Sequence, residues 1–113
     1  MYTRRALEKI INQVIRELEV NGWQPTKAVL FGSYARGNPN NYSDIDLAVW
    51  AKKFTGMRFD DRQALIPLMR PYADIEIHPF AIDDTVETNP FIEEVLKYGK
   101  VVFDYNESSL KEK

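Results

Sequence analysis

Cysteine is absent from this chain, which excludes disulfides and thiolate metal sites. Histidine occurs once, at His78. No apolar run approaches the ~20 residues that cross a bilayer. Charge is nearly balanced: 15 Lys and Arg against 17 Asp and Glu leave a net charge of -2. A chain so balanced exerts no general pull on nucleic acid or on a broad phosphate surface. The first residues, Met1 to Glu8, turn polar at once and lack the apolar centre of a signal peptide. The expectation is a cytoplasmic protein with no membrane segment and no direct nucleic-acid binding.

What remains is ordinary for one globular unit: 113 residues, 44% hydrophobic and 28% charged. That length carries one core and has no room for a second. A single domain over residues 1–105 and a polar tail over 106–113 are expected.

Leu7, Ile10, Ile11, Val14, Ile15 and Leu18 recur at helical spacing, with Thr3 as a start signal and Gly22 as a stop. Lys27–Phe31 is a short apolar strand stopped by Gly32, and Asp44–Trp50 is a second strand. The stretch from Asn38 to Ser43 is dense in turn formers and reads as a loop. Asp60 or Asp61 then caps a helix carrying Ala64, Leu65, Leu68 and Met69, which Pro67 should kink or split. Ala73–His78 alternates as a third strand with Ile75 and Ile77 inward. Asn89 and Pro90 open a last helix with Ile92, Val95 and Leu96 as its core stripe, and Gly99 ends it. Lys100–Tyr105 is a final strand. The large apolar residues Trp50, Phe54, Met57 and Phe59 fit burial better than a docking patch.

The most informative run is Gly32-Ser33-Tyr34-Ala35-Arg36-Gly37, followed at Asp44-Ile45-Asp46 by two acids separated by one residue. Residues two apart on a strand share a face. Two carboxylates on one face repel unless a cation lies between them or one takes a proton. A hard divalent cation such as Mg²⁺ meets that need. Asp74 and Glu76 form a second pair of the same kind. If strands two and three are neighbours, three or four carboxylates converge. Two metal ions among three carboxylates support in-line displacement at phosphorus. Taken alone, Asp-x-Asp also fits a solvated loop edge, Gly-Ser a plain turn and Arg36 a solvated charge. Together they describe a phosphate grip: Gly32 permits close backbone approach, Ser33 offers a hydroxyl and Arg36 a planar fork. A P-loop is excluded, because Asn38 stands where its lysine must be. Lone His78, next to Pro79, reads as structural rather than catalytic. Tyr34 and Tyr42 flank the site, either to stack on a base or to cover the loop.

Gly32-Ser33, ten residues, then Asp44-Ile45-Asp46 resembles the G-S-x10-D-x-D signature of the DNA polymerase β-like nucleotidyltransferase superfamily. Phe31–Gly37 with Ser43–Leu47, the later Asp74–Phe80 and Asn89–Gly99 resemble its minimal nucleotidyltransferase branch. The resemblance implies an α/β (α+β) fold, a small mixed sheet of about four strands flanked by helices. It implies transfer of NMP, with ATP as donor, and two Mg²⁺ ions. By position, Asp44, Asp46 and Glu76 would be the catalytic and metal-ligating acids, and Gly32, Ser33 and Arg36 would hold the triphosphate. Asp74 is the alternative to Glu76, since both point the same way. The same resemblance implies a helical HEPN-type partner, a tyrosine hydroxyl of that partner as acceptor, and an antitoxin role. Two other readings stay open: a non-catalytic antitoxin acting by contact, and transfer to a small molecule. Base preference, acceptor and homo- or hetero-oligomeric state are not legible.

Overall fold

The computed structural model describes residues 2–105 of the chain. The expected tail over 106–113 lies outside the described residues. Among the described residues, four helices alternate with four strands. These are α1 (Arg4–Val20), β1 (Pro25–Phe31), α2 (Ser33–Arg36), β2 (Ile45–Ala51), α3 (Arg58–Met69), β3 (Ile75–Ala81), α4 (Phe91–Tyr98) and β4 (Lys100–Asp104). The strands form one mixed sheet in the order β3-β2-β1-β4. β1 runs antiparallel to both β2 and β4, while β2 and β3 are parallel. A parallel pair needs a long crossover, and α3 supplies it.

The two faces of the sheet carry separate apolar clusters. On one, Ile11, Val14 and Leu18 of α1 and Leu65 of α3 pack against Leu30, Leu47, Val49 and Ile77. On the other, Ile92 and Val95 of α4 pack against Val29, Ala48, Trp50 and Phe80. The period of two along each strand therefore splits neighbouring residues between the layers. Asp46, Glu76 and His78 have the parity of the α4 face. The site is built at one end of that face.

Thr3 caps α1 as expected, its side chain accepting from the Ala6 amide. Ile75 and Ile77 face inward as expected. Several expectations are corrected. β2 begins at Ile45, so Asp44 is the last loop residue and only Asp46 lies on the strand. α3 begins at Arg58 rather than at Asp60 or Asp61. The Asp61 carboxylate instead reaches back to the amides of Thr55 and Gly56 and to the Thr55 hydroxyl, and is buried there. Pro67 does not split α3, which is continuous through Met69. Gln63, whose carbonyl loses its partner to the proline, and Pro67 are both exposed, so water can satisfy that carbonyl. Leu96 is not core but 44% exposed. Trp50 and Phe54 are buried, whereas Met57 and Phe59 are exposed. β3 tolerates Pro79 because it is an edge strand.

Candidate functional site

Strand pairing assembles the site. Phe31 of β1 is opposite Asp46 of β2, and Asp46 is opposite Glu76 of β3. Ala48 is opposite His78, so the histidine stands one step along the same face. β1 ends at Phe31, and the chain turns at Gly32 with φ 75° and ψ -154°. This positive φ suits glycine. The turn is also tight: a Cβ at Gly32 would collide with Asp46 Oδ2. The Gly-Ser bend and the Asp46 carboxylate are thus in direct apposition. Ser33 opens the single-turn helix α2, and Arg36 ends it, exposed to solvent.

One donor atom each from Asp46, Glu76 and His78 lies within 4.8 Å of the others. His78 Nε2 is 3.3 Å from Asp46 Oδ1 and 3.9 Å from Glu76 Oε2. Glu76 Oε1 is also ion-paired with Arg62 of α3. The charge of the two acids is therefore met by an arginine on one side and an imidazole on the other. Two carboxylates on adjacent strands, half-buried and bordered by a backbone bend, form a donor set suited to a hard divalent cation. The residues present fit such an ion.

Asp44 stands outside this three-residue group. It is exposed, at the end of a loop tied by the Asn40 amide to Ser43 Oγ at 2.9 Å and by the Tyr42 amide to Asn40 Oδ1 at 2.8 Å. It borders a cleft of about 320 Å³ that Glu76, Arg62, Leu65, Ile66 and Met69 also line. Its lining is largely apolar, with Asp44, Glu76 and Arg62 as its charged members. Asp74, the alternative third acid, is occupied elsewhere. Its Oδ2 accepts from the Tyr2 hydroxyl at 2.7 Å, and its carbonyl accepts from the Ile45 amide at 2.8 Å. The bond to Asp74 raises the Tyr2 phenol above its ordinary pKa, because the neutral phenol is the donor. Glu76, not Asp74, is the acid brought to Asp46. Tyr34 is buried against Tyr2, ring centroids 6.3 Å apart, while Tyr42 is 94% exposed.

Three members of the assembly have no counterpart in the reading from sequence: His78 as a neighbour of both acids, Arg62 as the partner of Glu76, and Arg58, whose Nη2 lies 3.0 Å from His78 Nδ1. Two signals pointed to them. His78 is two residues from Glu76 on a strand, and Arg58 and Arg62 are four apart on a helix.

Comparison with known proteins gives a consistent picture. Residues 8–108 match the family described as polymerase beta, nucleotidyltransferase. A protein of Methanocaldococcus jannaschii, provisionally named a protein adenylyltransferase, is 30% identical over 109 residues, covering 86% of this chain and 74% of that protein. The crystal structure of a provisionally named nucleotidyltransferase from Sulfolobus solfataricus shares the fold. Its TM-score is 0.63 at 18% identity, over 88% of this chain and 81% of that one. A toxin–antitoxin crystal structure with AMP-PNP aligns at a TM-score of 0.55 and 25% identity, over 82% of this chain and 72% of that one.

Proposed function

The chain belongs to the polymerase beta nucleotidyltransferase family, and from that premise we propose that it transfers AMP from ATP to a tyrosine hydroxyl of a helical HEPN-type partner, as the antitoxin of the pair. The observation that carries this reading is the apposition of the Gly32 bend, Asp46 and Glu76 across three adjacent strands. A bend that brings the Gly32 backbone against the Asp46 carboxylate, with Ser33 next in the chain, suits a metal–triphosphate better than it suits a contact surface. Support for ATP and for a toxin partner comes from the AMP-PNP-bound toxin–antitoxin structure. Support for a protein acceptor comes from the archaeal relative's name.

In this reading Asp44, Asp46 and Glu76 hold two Mg²⁺ ions, and Gly32, Ser33 and Arg36 hold the triphosphate. Bound Mg²⁺ would supply charge neutralisation at the phosphates and acidify the acceptor hydroxyl. Gly32, lacking a side chain, lets the Asp46 carboxylate lie directly against the bend that would hold the triphosphate. The α3–β3 cleft offers apolar lining for an aromatic ring, with Asp44 and Glu76 along the same cleft to face its hydroxyl. The acceptor oxygen bonds to the α-phosphorus, the bond from that phosphorus to the bridging oxygen breaks, and pyrophosphate leaves. The phenolic proton is lost to water. Positioning and electrostatics account for the rate. We place the reaction in the cytoplasm, where ATP is supplied. Among the described residues, no helix is long and apolar enough to cross a membrane.

The test is to incubate the chain with ATP, Mg²⁺ and the product of the adjacent reading frame, then map adducts by mass spectrometry. AMP on a partner tyrosine is expected with wild type, and its loss with Asp44→Ala or Asp46→Ala at unchanged circular dichroism. A tight complex without adduct would establish neutralisation by contact instead.

A further inference from the structure

His78 is the sole histidine of the chain and is 7% exposed. Its ring lies edge-on to Phe31, with centroids 4.8 Å apart, and 5.8 Å from Phe91. Both ring nitrogens are engaged. Nδ1 is 3.0 Å from Arg58 Nη2, and Nε2 is 3.3 Å from Asp46 Oδ1. A guanidinium has donors only and stays charged. Nδ1 must therefore be the acceptor, and the ring hydrogen sits on Nε2, directed at the acids. In that tautomer Nε2 has no lone pair for a cation. The spacing of Asp46, Glu76 and His78 resembles a ligand triad, yet the hydrogen-bond chemistry makes His78 a donor to Asp46, with Glu76 Oε2 farther off at 3.9 Å.

Arg58 has a second contact besides His78. It is the first residue of α3, and its guanidinium carbon is 5.6 Å from the centre of the Phe91 ring. The two oxygens of Asp46 are thereby distinguished. Oδ1 accepts from His78, and Oδ2 faces the Gly32 bend.

We propose that Arg58 and His78 are positioning residues. Arg58 locks the Nε2–H tautomer of His78, and His78 holds Asp46 so that Oδ2 is presented toward the bend for a divalent cation. This deepens the reading of the site given above and rests on it for the cation. The hydrogen-bond chain itself stands on geometry alone. Groups that orient a carboxylate ligand typically change metal affinity ~10–100-fold when removed.

The single histidine makes the experiment unambiguous. The full chain, labelled with ¹⁵N-histidine, is studied by long-range ¹H–¹⁵N correlation slightly above neutral pH. A protonated, pyrrole-like Nε2 and a pyridine-like Nδ1 are expected, unchanged on adding Mg²⁺ and a non-hydrolysable ATP analogue. A hydrogen on Nδ1, or loss of the Nε2 hydrogen on adding Mg²⁺, overturns the proposal. Arg58→Met, which keeps an apolar stem beside Phe91 but no donor, is expected to give a mixture of tautomers; an unchanged spectrum also overturns it. Free Mn²⁺ counted by electron paramagnetic resonance then reads affinity. His78→Phe should weaken Mn²⁺ binding ~10–100-fold, and His78→Gln, which retains a side-chain donor, should recover much of it. Equal affinity in wild type and His78→Phe overturns the proposal whatever the transfer assay does. An intact affinity difference without AMP transfer supports these positioning roles and overturns the catalytic reading alone.

Discussion

A single methyl group at position 32 would occupy space now held by the Asp46 carboxylate. Gly32→Ala should therefore act twice. The positive φ costs about 1–3 kcal/mol for a residue with a Cβ, and the collision moves a proposed ligand. A lowered urea midpoint together with loss of AMP transfer is expected; a stable, active variant would contradict the apposition. Tyr2 supports a different prediction. Its bond to Asp74 is solvent-exposed, so Tyr2→Phe should cost only about 0.5 kcal/mol. Because the folded phenol titrates above its unfolded value, that contribution is complete below about pH 10 and disappears as pH rises through the folded pKa. Urea midpoints of the two proteins should differ near neutrality and converge at strongly alkaline pH. The same contact shows what spacing alone leaves open. Asp74 and Glu76 are two residues apart in sequence, and spacing alone does not separate them, although β3 begins only at Ile75 and leaves Asp74 in the turn before it. The separation comes from Tyr2, distant in sequence, and from the Asp46–Glu76 register.

At the scale of elements, helices with strong apolar periodicity were legible, as α1 shows down to its Thr3 cap. α3 was legible in existence but not in its start. Asp60 and Asp61 look like capping residues, yet Asp61 is drawn backward to the Thr55 and Gly56 amides, and the helix extends to Arg58. That extension is what brings Arg58 to His78, with Arg62 one turn on beside Glu76. The misplaced helix start left Arg58 outside the helix, whereas Arg62 lay inside it with a partner, Glu76, that only the tertiary fold supplies. Leu96 has the spacing of a core residue but is exposed and does not join the cluster that Ile92 and Val95 form on the sheet. Pro67 is the weak point of α3. Pro67→Ala restores a backbone donor in the helix at an exposed position, and a gain of about 1–3 kcal/mol is expected in urea denaturation. The smaller loss of unfolded-chain entropy in the alanine variant works against part of that gain. A destabilised variant would show that the proline is compensated elsewhere.

Across the whole molecule, the Gly-Ser and Asp-x-Asp motifs revealed the chemistry, while the sheet order decided the membership of the site. Local sequence does not say that β2 lies between β1 and β3. Once it does, the Gly32 bend, Asp46 and Glu76 fall in one line across three strands, and Asp44 is left at the loop edge. The α3–β3 cleft lies beside Glu76, where the proposed acceptor side chain would reach the acids.

The central claim is that this line of residues takes a nucleotidyl group, rather than a phosphoryl group, from ATP. It is tested most directly by running the reaction with the partner twice, once with ATP labelled at the α-phosphate and once with label at the γ-phosphate. Label from the α-position should appear on the partner, and label from the γ-position should appear only in released pyrophosphate. Partner labelling from the γ-position, or from neither, would contradict the account.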